Sequence, residues 1–132
     1  MTVRIYPIQS PLHDQEYMAE MRGGLLSSLT SLTGDEYVIS TIDKLYDGEL
    51  AFVLVESGGS EHYFLEVVDK LKAPIYLLTY GSNNSLAASL EILTFIHQKG
   101  LEGEILHGSE TYIAQRIKEI RNAYIRNHRE SL

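Results

Sequence analysis

The chain contains no cysteine. A disulfide framework and a thiolate-ligated metal site are thereby excluded. Positive charge is in short supply: 11 Lys and Arg face 18 Asp and Glu, for a net charge of -7. Such a chain is repelled by nucleic-acid phosphates and by anionic membrane surfaces, so neither is an expected partner. The basic residues towards the end, Arg116, Lys118, Arg121, Arg126 and Arg129, read as a solvated helix face and not as a binding patch. No apolar run approaches the roughly 20 residues that cross a bilayer, and the opening residues MTVRIYPIQS lack the apolar segment of a secretory signal. The expectation is a soluble, cytoplasmic protein.

What is present fits one globular unit. The 132 residues are enough for one core but not two, and an apolar content of 44% can fill it. Strand-like and helix-like segments alternate from end to end. Strands are expected at residues 3–8 (VRIYPI), 37–40 (YVIS), 50–55 (LAFVLV), 74–79 (PIYLLT) and 104–106 (EIL). The third is apolar throughout, as a parallel strand buried on both faces would be. Helices are expected at 11–33, 60–71, 83–98 and 109–126, with a short helix or turn at 41–48.

In the first helix Leu12, Met18, Met21, Leu25, Leu29 and Leu32 form a stripe. Gly23-Gly24 is a potential kink and Gly34 a C-cap. Leu86, Leu90 and Leu93 are the expected core face of helix 83–98. Ile113, Ile117, Ile120 and Tyr124 are the corresponding face of the last helix. Short connections and strict alternation predict an α/β, three-layer domain spanning 1–132. Its five-stranded parallel sheet should run in the flavodoxin-like order 2-1-3-4-5.

In such a sheet ligands bind beyond the carboxyl ends of the strands, beside the switch between strands one and three. The loops there carry Gln9, then Ser57, Gly58, Gly59, Ser60 and Glu61, then Tyr80, Asn83, Asn84 and Ser85, and finally His107. These side chains and glycines suit anions or sugar hydroxyls, and we take them as the candidate substrate-binding residues. The segment ESGGSEH, residues 56–62, admits several readings. As a phosphate cradle it lacks a Walker lysine and the GxGxxG spacing, and Glu56 and Glu61 flank it with negative charge. As an acid/base pair, Glu56 and Glu61 have no visible reason to converge. Glu61, His62 and His107 lack the His-x-x-x-His spacing of a metal site. The plainest reading is a tight turn in which Ser60 caps a helix and Glu61 favours its first turn. A receiver-like domain is disfavoured, because strand one ends in Tyr-Pro-Ile and no Asp ends strand three.

Taken together, Gly58, Gly59, Ser60 and Glu61, then Pro74, then Asn84 to Glu91 (NSLAASLE), then Leu106 to Gly108 (LHG) resemble a family pattern. It is that of the N-terminal domain of the L-fucose isomerase and L-arabinose isomerase superfamily, in its fucose-isomerase-like branch. There GGTE follows a strand, and a Pro-led strand, NSLAAxLE and LHG come after it. Ser60 stands where Thr is usual and keeps the hydroxyl. The resemblance covers about the last two-thirds of the chain. It implies an aldose–ketose isomerase that works by proton transfer through an enediol, with manganese as its metal. The family's metal ligands lie in later domains, introduced by a Pro-Ser-x-Trp segment, and this chain has no Trp. The expectation is therefore a non-catalytic N-terminal domain of a longer protein, with no catalytic or metal-binding residue of its own. Its implied partners are the remaining domains, further copies in a homo-oligomer, and a sugar at a neighbouring subunit's site. A standalone module for a phosphosugar or nucleotide is the alternative.

Overall fold

The computed structural model describes residues 1–10, 14–41, 44, 50–59, 64–65, 71–79 and 85–130, with side chains up to residue 127. Strand β1 runs over Thr2–Ile8, β2 over Glu36–Ile39, β3 over Leu50–Val55, β4 over Ile75–Leu78 and β5 over Gly103–Leu106. All pairings are parallel and the five-stranded order is β2-β1-β3-β4-β5, as the alternation of elements predicts. Strand β3 lies at the centre. Its Leu50, Phe52 and Leu54 point into one core layer and Val53 and Val55 into the other, which is why no residue of LAFVLV is charged.

Proline in an interior strand normally costs a ladder bond. Here the register removes the conflict. The Ile5 carbonyl accepts from Ser40 on the β2 side, and the Ile8 carbonyl accepts from Glu56 on the β3 side. Alternation then turns the Pro7 nitrogen towards β2, past the last β1–β2 rung at Ile5↔Ile39. Strand β1 therefore continues through Pro7 to Ile8.

Helix α1 spans Gln15–Thr33, α2 Ser85–Gln98 and α3 Glu110–Glu130. The start of α1 is four residues later than expected. The Asp14 carboxylate accepts from the Glu16 and Tyr17 N–H groups and fixes the first turn there. At the other end Gly34 takes a left-handed φ of 76° and its N–H closes on the Thr30 carbonyl. The helix runs as one element through Gly23-Gly24, both exposed. Met18, Leu25 and Leu29 face the core as expected and Leu26 joins them, whereas Leu32 is exposed. Leu12 lies outside the described residues.

Leu25, Leu26 and Leu29 of α1 form one layer with Ile113, Ala114, Ile117 and Ile120 of α3. On the opposite face α2 contributes Ala88, Ile92 and Ile96, alongside Phe64. The face of α2 differs from expectation at Leu86 and Leu90, while Leu93 packs partly against the core as expected. Leu86 and Leu90 are 38% and 52% exposed, and Ser85, Ala88, Ser89, Ile92 and Ile96 are buried in their place. The helix lies on its small side, where Ser89 Oγ donates to the Ser85 carbonyl and so needs no other partner.

The C-terminal basic run is not uniformly a solvated face. Arg116 forks onto Glu104 at 2.6 Å through both Nε and NH2, and Arg121 holds the buried Asp35 carboxylate at 2.8 and 2.9 Å. Phe64 and Leu65 are helical within the expected helix 60–71, most of which lies outside the described residues, as does most of 41–48. Among the described residues no helix is long and apolar enough to cross a membrane.

Candidate functional site

The carboxyl ends of β1 and β3 adjoin, and the loops leaving them are tied together. The Ser10 N–H donates to Ser57 Oγ at 2.9 Å, and the Glu56 N–H donates to the Ile8 carbonyl at 2.9 Å. Gly59 turns the chain with φ 83°, a conformation that L side chains rarely adopt. A Cβ on Gly59 would lie 3.3 Å from Ser10 Cβ, so glycine there also permits the two loops to approach. Gln9 and Gly58 are half-buried beside this junction and Gly59 is exposed. Gln9 Nε2 donates to Gln15 Oε1 at 3.0 Å at the start of α1. Gln9 Oε1 is shielded from solvent and has no hydrogen-bond partner among the described residues.

Beneath the turn lies a buried ion pair. Arg22 reaches from the second turn of α1 and grips Glu56 bidentately, Nε to Oε2 at 2.8 Å and NH2 to Oε1 at 2.7 Å. Glu56 is only 2% exposed. Its two oxygens are matched by a fixed fork, which makes it a clasp between α1 and the exit of β3 and not half of an acid/base pair. Arg22 was legible in principle. It follows Met18 by four residues and precedes Leu25 by three, which places a cation on the inward stripe and demands a buried carboxylate.

Further along the edge, Ser85 opens α2 and its Oγ donates to the Val55 carbonyl, linking this helix to the end of β3. Ser57 and Ser85 are thus both buried, with hydroxyls engaged to the backbone. They shape the edge; among the described candidate residues Gln9, Gly58, Gly59 and His107 reach its surface. His107 stands at the far end of the row, where its Nδ1 lies 2.6 Å from Thr79 Oγ1. Thr79, buried at the end of β4, also donates its N–H to the Leu106 carbonyl. The structure thus brings Gln9, Ser57, Gly58 and Gly59 together, sets Ser85 behind them and leaves His107 with Thr79 beyond β4. Ser60, Glu61, Tyr80, Asn83 and Asn84 lie outside the described residues.

Among the described residues no group of three His, Asp or Glu side chains could hold a metal ion. Among the described residues the groups at this edge are hydrogen-bonding ones: the half-buried Gln9 side-chain amide, exposed glycine backbone and an imidazole.

A cavity of 380 Å³ opens at the opposite edge, lined by Pro74, Tyr76, His97, Glu102 and Glu104 among others. Its carboxylate Glu104 is already held by Arg116. It lies where Gly103 lets β5 press against Leu93 and Ile96, at distances a Cβ would find tight.

No family model matches the chain, and no curated protein matches it either.

Proposed function

We propose that this chain is a non-catalytic domain of an aldose–ketose isomerase of the L-fucose and L-arabinose type. In this reading its β1–β3 edge forms one wall of a sugar site. Gln9 carries the proposal. Its shielded Oε1 is an acceptor without a donor among the described residues, and leaving such a group unmatched costs about 1–3 kcal/mol. A sugar hydroxyl is a donor of the required kind. The family-like residues Gly58, Gly59 and the LHG at Leu106 to Gly108 stand on the same sheet edge.

Charge favours a neutral polyol over the phosphosugar or nucleotide alternative. Residues 9–14, 56–63, 79–84 and 107–109 contain no lysine or arginine. Arg22 is committed to Glu56, and the first turn of α1 is filled by the Asp14 carboxylate. A phosphate would meet carboxylates at this edge without a free guanidinium to offset them. In this reading further isomerase domains and copies of the chain complete the assembly in the cytoplasm, and those domains hold the manganese.

The test is a titration of the chain with L-fucose and L-arabinose, and separately with a sugar phosphate, followed by backbone amide shifts. The expected result is that the neutral sugars move the signals of Gln9, Ser57, Gly58 and Gly59, that the phosphate does not, and that Gln9→Leu removes the response. Preferential binding of the phosphate would favour the alternative module, and silence from every ligand would overturn the sugar-wall reading. A second expectation is that the chain converts neither sugar to its ketose with manganese present. A ketose signal abolished by chelator would reverse the non-catalytic assignment.

A further inference from the structure

We draw no further inference here: the strongest candidate, the outward stripe of α2 that leaves Leu86 and Leu90 exposed, carries nothing because nothing in the structure shows what covers it.

Discussion

Arg22 and Glu56 form a pair whose value depends on both members being present. With side chains 15% and 2% exposed, neither charge has much water to fall back on. Removing one partner from a buried pair costs about 3–5 kcal/mol, because the survivor keeps its desolvation penalty without its attraction. Arg22→Leu and Glu56→Leu are each expected to destabilise by that order in urea unfolding, while the double variant should recover most of the loss. Additive losses would show that the two groups do not act as a unit. Gly59 makes a different demand. Its φ of 83° and the 3.3 Å approach to Ser10 predict that Gly59→Val costs about 1–3 kcal/mol, read as a lowered thermal midpoint. An unchanged midpoint would show that the turn is not held as described. The turn at Gly58-Gly59 was legible because glycines after an apolar strand have few other uses. The burial of Ser57 and Ser85 was not. A serine facing a ligand and a serine facing a backbone carbonyl look identical in a sequence, and only the neighbouring strand ends decide between them.

The helices differ in how plainly they announce their inner face. In α3 the isoleucines at 117 and 120 have charged neighbours on both sides, so only one face can be apolar, and Ile113 lies on it. Helix α2 carries apolar residues on more than one side: Leu86 and Leu90 face outward, Leu93 packs partly against the core, and Ala88, Ile92 and Ile96 are buried. Leucine is the larger hydrophobe, yet burying it would hold the helix away from the sheet. Ala88 and the internally bonded Ser89 allow the backbone to approach, and Ile92 and Ile96 then fill the wider end. Leu90→Lys should consequently change stability by no more than about 0.5 kcal/mol, whereas Ile92→Ala should cost about 2–5 kcal/mol. Denaturant midpoints for the two variants discriminate directly, and a reversed order would return the leucines to the core. Helix α1 offers a gain. Gly24 sits exposed in mid-helix with nothing within 4 Å of the position a Cβ would take. Gly24→Ala is expected to stabilise the fold by about 0.5–1 kcal/mol, a rise of a few degrees by calorimetry. A drop would imply that an unseen contact requires the glycine.

At the scale of the whole molecule the strand order was readable because alternating strands and helices with short connections leave few right-handed solutions. The long-range ionic links were not, since nothing local couples Asp35 to Arg121. The molecule as a whole should also weaken in alkali. Tyr37 has its phenol pushed up chiefly by burial, against the lowering effect of its bond to Thr33. Tyr76 is likewise raised by burial first and then by Glu104. Above about pH 10 a free tyrosine ionises, so the unfolded chain then binds fewer protons than the folded one. Stability is therefore fully present below that pH and falls as pH rises through the folded values. Denaturant unfolding at pH 9 and pH 11 should show the decline, with Tyr76→Phe flattening it; a parent curve flat across this interval would count against the burial of both phenols.

The pairing of α1 with α3 also bears on biosynthesis. Leu25 and Leu29 find Ile113, Ile117 and Ile120, and Asp35 finds Arg121, 86 residues later. A ribosome therefore releases α1 long before its cover exists. Until the last helix leaves the exit tunnel, the nascent chain holds a bare leucine ridge and a carboxylate without its guanidinium. Closure must wait for the chain's final quarter. Nascent chains arrested before residue 113 should accordingly remain protease-sensitive and bind holdase chaperones, while chains whose residue 121 has cleared the tunnel acquire resistance in a single step.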